Sequence, residues 1–123
     1  ELRRVEREAA KVTVVRDRWG VPHVYAPTDA GVTLGIGWAQ AEDNWWLLEE
    51  EYVRIVGRAA ELYGEERAAG DAAVRLARVV ERAKARYASA PPELRAMTAA
   101  YADGVNLWIA RHPGRARLLA RFE

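Results

Sequence analysis

Cysteine is absent from the 123 residues, which excludes disulfide bridges, thiolate metal sites and a cysteine nucleophile. Serine and histidine are almost absent too, with only Ser89, His23 and His112 present. A serine triad within the chain would have to use Ser89. That residue lies in the run SAPPE, whose Pro91 and Pro92 are typical of a linker that breaks a helix. The sequence therefore predicts no self-contained serine triad.

An excess of charge of one sign and long apolar runs are also missing. The 19 Lys and Arg residues nearly balance the 18 Asp and Glu residues, so no net field favours nucleic acid or a membrane surface. No stretch reaches the ~18 apolar residues of a membrane span, and the opening ELRRVEREAA lacks the apolar core of a signal peptide. Half of the residues are apolar, which is typical of a folded chain.

The first ordered element that the pattern predicts is a β-hairpin over about residues 12–26. Residues 12–15 and 21–25 are rich in strand-forming side chains, and the polar turn 17–20 separates them. Pro22 has no amide hydrogen, so it must lie at a strand start or an edge position. Two strands alone are marginally stable in water, and the hairpin is expected to need a partner sheet.

Three helices are predicted after the hairpin, over about residues 29–64, 71–88 and 92–111. The first begins with Thr28 or Asp29 as N-cap and ends at Gly64. Its inward stripe alternates steps of three and four: Trp38, Ala41, Trp45, Leu48, Tyr52, Ile55, Ala59 and Leu62.

The second and third helices carry weaker patterns. The second is predicted to bury Ala73, Leu76, Val80, Ala83 and Tyr87 beside an arginine row. That row is interpreted as a solvated face, or as a row that pairs with acidic residues of another segment, rather than as a phosphate-binding site. No aromatic residues interleave it, and the chain has no net basic excess. The third is predicted to begin near Pro92 and to bury Leu94, Met97, Tyr101 and Trp108.

Four sequence blocks resemble the penicillin acylase family in order and spacing. They are RDRWGVPHVYA at residues 16–26, GIGWAQAEDNWW at 35–46, GRAAELYG at 57–64 and AYADGVNLWI at 100–109. The AEDN form at residues 41–44 is similar to the branch that holds acyl-homoserine-lactone and aculeacin-type acylases.

The resemblance implies an N-terminal nucleophile hydrolase, whose precursor cleaves itself into an α and a β chain. Residues 1–123 would then be one α-subunit segment, not an independent domain. The implied fold class is α+β, with this mainly α-helical chain and its hairpin completing an αββα fold with a partner β chain. The catalytic serine is expected at the N-terminus of that partner, so no catalytic or pocket residue is assigned here.

The resemblance also implies properties of the assembled enzyme. The expected reaction is hydrolysis of a linear non-peptide amide that joins an acyl chain to a polar amine. A calcium ion is compatible with the family, although no ligand is assigned in this chain. A periplasmic or secreted location follows from the resemblance alone.

Polar residues of the first block allow two interpretations. Arg16, Asp17 and His23 could form an acid–base group, since a histidine titrates near neutrality. The favoured interpretation is structural: Asp17 caps the turn that ends at Gly20, Arg16 pairs with Asp17 or a partner carboxylate, and His23 is a hydrogen-bonded strand residue.

The second block offers Gln40, Glu42, Asp43 and Asn44. Adjacent helical positions do not face each other, so Glu42 and Asp43 could share an acid–base or metal site only with help from another segment. A buried structural network is the favoured interpretation.

The aromatic stripe and the last block are interpreted in the same way. The stripe could line an acyl pocket, but helical spacing favours core packing. In YADGVN, Gly104 is expected to permit close helix packing, with Tyr101 structural and Asp103 or Asn106 bonding to neighbouring backbone.

Two further functions stay open from sequence alone. One is a non-catalytic helical module whose aromatic stripe binds another protein. The other lies within the enzymes: an acyl-homoserine-lactone, cephalosporin or lipopeptide acylase built on the same scaffold.

Overall fold

A computed structural model describes residues 1–115 and contains one β-hairpin and six α-helices in that range. In chain order the elements are α1 (Leu2–Ala9), β1 (Thr13–Arg16), β2 (Pro22–Tyr25), α2 (Asp29–Ile55), α3 (Ala59–Tyr63), a 3-10 turn (Glu65–Arg67), α4 (Ala68–Leu76), α5 (Val79–Ala88) and α6 (Pro92–Arg111). Among these residues no helix is both long enough and apolar enough to cross a bilayer.

The chain divides into two compact units. Of the described residues, the first unit holds 1–44 and 91–113, and the second holds 45–90 with 114 and 115. The boundary at residue 44 falls inside α2, where the backbone of Asn44 is non-helical (φ −140°, ψ 40°). Helix α2 is therefore interrupted at that residue.

The hairpin forms where the sequence predicts it. Strands β1 and β2 pair antiparallel, with Thr13 opposite Tyr25 and Arg16 opposite Pro22. Pro22 is the first residue of β2, as its missing amide hydrogen requires.

Helix α1 is an element that the sequence pattern does not predict, because its residues are mostly charged. Its one buried side chain is Val5, which packs in a cluster with Leu34, Ala100 and Leu107. Two ion pairs join α1 to α6: Arg4 with Asp103 at 2.8 Å, and Arg111 with Glu6 at 2.6 Å. Tertiary contacts with α6 therefore hold α1.

The first predicted helix begins as expected but is not continuous. The Thr28 hydroxyl accepts the Gly31 amide at 3.1 Å, which makes Thr28 the N-cap. The helix does not continue to Gly64, because Gly57 takes a left-handed conformation (φ +70°) that ends α2, and the short α3 follows. Tyr52 and Ile55, predicted to be inward, are about half exposed.

The predicted helix over 71–88 is also two helices. Arg78 has a left-handed backbone (φ +52°) between α4 and α5. The predicted apolar stripe is wrong, since Leu76 is 87% exposed while Asp71 of the same segment is buried. The buried group that organises this segment is therefore a carboxylate.

Helix α6 occupies the range that the sequence predicts and starts with proline. Its buried residues are Ala100, Gly104, Leu107 and Trp108, and Tyr101 is partly buried. Leu94, predicted to be inward, is 52% exposed because the first turns of α6 lie outside the core.

Candidate functional site

The motif residues that the sequence singles out all fall in the first unit, on three of its elements. The hairpin carries Arg16, Asp17, Gly20 and His23, helix α2 carries Gln40, Glu42, Asp43 and Asn44, and helix α6 carries Tyr101, Asp103 and Asn106.

Arg16 is the centre of the largest polar group. Its guanidinium donates to Glu42 Oε2 at 2.5 Å and lies 2.7 Å from Asp43 Oδ1. It also donates to the Gly20 carbonyl at 2.8 Å. Arg16 therefore supplies the help from another segment that adjacent helical carboxylates need to share a site.

This group corrects two expectations. Arg16 pairs with Glu42 and Asp43 instead of Asp17. The hydrogen bonds that its guanidinium donates to Glu42 and then to Asp43 raise the pKa of Arg16. The network is not buried, because the side chains of Arg16, Glu42 and Asp43 are 31%, 45% and 39% exposed. Gln40 and Asn44 are exposed as well.

Arg16→Gln is expected to lower the free energy of unfolding by about 1 kcal/mol, since a partly exposed ionic network is worth little more. The midpoint of urea unfolding of the protein measures this change in the free energy of unfolding. Arg3→Gln, at an exposed position of α1, is the control and should change stability by less than about 0.5 kcal/mol. An equal loss in both variants would contradict a specific role for Arg16.

Asp17 closes the hairpin turn. Its Oδ1 accepts the amides of Trp19 at 2.8 Å and Val21 at 3.0 Å. Gly20 takes φ +83° in this turn, a conformation that glycine adopts without strain. His23 Nε2 lies 3.4 Å from Asp17 Oδ2, and both side chains are at least 40% exposed. This geometry has the form of a capped turn, and Arg16 takes no part in an acid–base group with the pair.

Asp17→Asn is expected to remove an acid-sensitive contribution to stability. The Val21 amide, followed by the Trp19 amide, holds the pKa of Asp17 below its ordinary value of 3.8. The contribution is therefore complete above pH 3.8 and is lost as the pH falls through the lower pKa of the folded state. An NMR titration of the Asp17 carboxyl checks this, and titration at or above pH 3.8 would exclude it.

The last block joins α6 to α2 and α1. The Tyr101 hydroxyl donates to Gln40 Oε1 at 2.5 Å, and burial raises the pKa of Tyr101. Asp103 accepts the Arg4 side chain at 2.8 Å, so the expected bond to neighbouring backbone is wrong for Asp103. Asn106 is exposed.

An apolar groove of about 370 Å³ in the first unit is a feature that sequence reasoning missed. Its lining residues come from α1, β1, α2, α6 and the link before β1: Ala9, Val12, Val14, Leu34, Trp38, Leu107 and Arg111. Beside it, His112 stacks on Trp108 with ring centroids 4.5 Å apart, and His112 Nδ1 lies 2.8 Å from the Trp108 carbonyl. Because these residues are distant in sequence, no local pattern indicates the groove.

The polar motif residues among those described hold structural elements in position. Residues 1–115 contain no group of three His, Asp or Glu side chains arranged to hold a metal ion. Ser89 Oγ donates to the carbonyls of Ala85 and Arg86 at 3.2 Å, as a residue that ends a helix does. Eight of the predicted motif residues make bonds that tie elements or turns together: Arg16, Asp17, Gly20, Gln40, Glu42, Asp43, Tyr101 and Asp103.

Comparison with known proteins identifies the family that this chain resembles in sequence and structure. The family model described as penicillin amidase matches residues 11–123. The penicillin acylase 2 proenzyme of Pseudomonas sp. is 33% identical over 102 residues, which are 83% of this chain and 13% of that protein. Penicillin G acylase of Escherichia coli is 30% identical over 104 residues, covering 85% of this chain and 12% of that protein.

Two further relatives extend the comparison. The acyl-homoserine lactone acylase PvdQ of Pseudomonas savastanoi is 30% identical over 109 residues, or 82% of this chain and 14% of that protein. A chain of the thermostable penicillin G acylase from Alcaligenes faecalis superimposes with a TM-score of 0.75 at 28% identity, covering 91% of this chain and 62% of that chain.

These matches agree in family although they differ in named substrate. The chain spans about one eighth of the length of the curated acylases that it matches. The four sequence blocks, the helices with their hairpin and the structural likeness all point the same way. This chain belongs to the penicillin amidase family.

Proposed function

We propose that this chain is the α-chain scaffold of an acylase that hydrolyses a linear, non-peptide amide between an acyl chain and a polar amine. The observation that carries the proposal is the family match over residues 11–123. The names of the relatives support it, since they describe penicillin acylases and acyl-homoserine lactone acylases.

In the proposed reaction, the serine hydroxyl at the N-terminus of a partner β chain attacks the amide carbonyl. Its proton passes to the serine's own α-amino group, whose pKa near 8 leaves a useful neutral fraction at working pH. The amine leaves with a proton, and water then hydrolyses the acyl-enzyme to release the acid and regenerate serine. The residues described here would hold the scaffold on which that partner folds.

The structural use of the polar motif residues supports a scaffold role. Arg16 with Glu42 and Asp43, and Tyr101 with Gln40, join elements that are 26 to 61 residues apart in sequence. A calcium ion in the assembled enzyme would need ligands beyond those that residues 1–115 bring together. Periplasmic or secreted location forms part of the same proposal.

The test begins with the enzyme purified from its native source. Mass spectrometry and N-terminal sequencing should identify a second polypeptide from the same precursor that begins with serine. The preparation should release free amine from acyl amides, and replacement of that serine by alanine should abolish release. Absence of a second chain, or one with a non-nucleophilic first residue, would exclude the proposal.

A panel of substrates then identifies which acyl chain and which amine the enzyme prefers. Benzylpenicillin and acyl-homoserine lactones of several chain lengths cover the substrates that the relatives' names contain. A preference for long linear chains would place the enzyme with the lactone acylases, whereas a preference for the phenylacetyl group would place it with the penicillin acylases.

The exposed aromatic residues favour the second candidate function, a helical protein-interaction module. Trp46 and Tyr52 of α2 are 64% and 57% exposed. Such a module should fold alone as a stable monomer, whereas the scaffold should fold poorly without its partner. Circular dichroism and sedimentation of the isolated 123 residues decide between the two.

A further inference from the structure

Helix α5 has no buried side chain among its 10 residues. Val79 and Tyr87 are 37% and 44% exposed, and Leu76, which precedes the helix, is 87% exposed. Val79, Val80, Ala83 and Tyr87 recur at helical spacing, so they form one apolar stripe along α5. Within residues 1–115 this stripe is largely uncovered.

Cationic side chains lie on both sides of the α5 stripe. Each residue advances about 100° around the helix axis, which places Arg82 and Arg86 along one side of the stripe and Lys84 along the other. Glu81, the acidic residue of α5, lies on the opposite face. Basic side chains that border an apolar stripe are typical of a helix that lies in the interface of an anionic membrane.

The cations of α5 are available to a ligand. Among residues 1–115, the side chains of Arg82, Lys84 and Arg86 make no ion pair or hydrogen bond, and all three residues are exposed. Arg75 of the preceding helix differs, because its Nε donates to the Gly57 carbonyl at 2.9 Å. The arginine row is therefore paired at α4 and solvated along α5.

Arg78 links the α5 stripe to Leu76 at a backbone position that suits glycine. Its φ of +52° lies in the left-handed region, where a residue with a Cβ is strained. Its guanidinium also has no ion pair within the described part of the chain. The turn between α4 and α5 thus exposes a cation and an apolar side chain together, at a cost in backbone free energy.

We propose that the α5 stripe, with its flanking cations and Leu76, docks on an anionic phospholipid surface. Residues 75–88 hold five basic residues against one acidic residue in a chain of nearly balanced charge, and this local excess complements anionic headgroups. A flat surface reaches the stripe and both of its flanks at once. A 10-residue helix is about 15 Å long, so α5 lies along the bilayer and does not cross it.

Vesicle sedimentation of the full protein, with any second chain that copurifies, tests the lipid surface. The protein should bind vesicles of phosphatidylcholine that contain about one-third phosphatidylglycerol at least about thirtyfold more tightly than vesicles of phosphatidylcholine alone. The triple variant Arg82→Gln, Lys84→Gln, Arg86→Gln should bind the mixed vesicles about a hundredfold more weakly, since each basic residue near the surface contributes about fivefold.

A second triple variant, Arg3→Gln, Arg7→Gln, Arg95→Gln, is the matched control. It removes the same net charge at exposed residues of α1 and α6, and it should weaken vesicle binding by less than about threefold. Equal losses in the two triple variants would show an effect of net charge alone and would overturn the assignment to α5.

A leucine pair tests the apolar part of the surface. Leu76→Ser should weaken binding to the mixed vesicles about fivefold, because the exposed side chain no longer enters the interface. Leu94→Ser changes a leucine of α6 that is 52% exposed and should alter binding by less than about twofold. An unchanged affinity in Leu76→Ser would remove the apolar contact from the proposal and reduce it to electrostatic adsorption, which would overturn docking of the stripe.

Two other results would overturn the choice of a lipid surface. One is absence of binding to the anionic vesicles. The other is chemical cross-linking of Lys84 to a second polypeptide in the purified protein, which would show that another chain covers α5. Amide hydrolysis is measured separately and should be unchanged in both triple variants. Vesicle binding by a protein that hydrolyses no amide would leave the lipid surface standing and count against the proposed function.

Discussion

Gly104→Ala is expected to destabilise the first unit by about 3 kcal/mol, because the added methyl group has no space. A Cβ at Gly104 would lie 2.0 Å from the Leu34 carbonyl oxygen and 2.9 Å from the Trp38 amide nitrogen. Both neighbours are backbone atoms of α2, so no side chain can rotate to relieve the clash. The helices α2 and α6 would have to separate, which would expose the core that contains Leu107.

Helices α2 and α6 also approach each other closely at a glycine of α2. A Cβ at Gly37 of α2 would lie 2.3 Å from the Tyr101 carbonyl oxygen of α6. Gly37→Ala is therefore expected to reproduce the effect of Gly104→Ala. Both glycines are needed because the two backbones touch.

Gly70→Ala is the matched control for these variants. Gly70 lies within α4, and nothing lies within 4 Å of a Cβ built there. Alanine should therefore stabilise the helix by up to about 1 kcal/mol. The measurement is the midpoint of urea unfolding of the protein, followed by tryptophan fluorescence. A Gly104→Ala protein as stable as the unmodified one would contradict the close crossing of α2 and α6.

Asp71→Ala is expected to destabilise the second unit by about 3 kcal/mol, because it leaves two amide donors without their acceptor. The Asp71 carboxylate accepts the amides of Ala59 at 3.0 Å and Ala60 at 2.8 Å. Arg58, at the N-cap position of α3, makes no side-chain cap bond, so Asp71 caps that helix from the next one. Asp71 is 7% exposed, so water cannot replace the carboxylate without opening the structure.

Hydrogen exchange at Ala59 and Ala60 reports this loss directly. A cost of about 3 kcal/mol corresponds to exchange about a hundredfold faster at these amides. Asp71→Asn keeps one acceptor oxygen and should show an intermediate effect. Glu65→Ala, at an exposed residue of the 3-10 turn, is the control and should change exchange by less than about threefold. Unchanged exchange in Asp71→Ala would rule out capping by Asp71.

Local chemistry explains the elements that could be predicted. The hairpin follows from its strand-forming runs and the capped turn at Asp17, and the start of α2 follows from the Thr28 hydroxyl. Proline at the start of α6 has the same local character, since its fixed φ suits a first helical turn. Each of these signals acts between residues no more than four positions apart.

The candidate site was harder to predict because its bonds are distant in sequence. The sequence indicated Arg16, Glu42 and Asp43 as polar residues in family-like blocks. Their actual pairing joins residues 26 and 27 positions apart, and no local rule specifies which carboxylate an arginine will reach. The sequence did not predict that Asp71 is buried, because hydrophobic periodicity counts a carboxylate as a solvent-facing residue.

The sequence by itself therefore determined the family, the hairpin and the starts of α2 and α6, because these depend on short motifs and on local capping. Only the tertiary structure decided that α1 forms, that the long helices break at Asn44, Gly57 and Arg78, and that α2 and α6 touch at glycines. These features depend on which distant backbone and side-chain groups meet, and the free energy of those contacts outweighs local helical propensity.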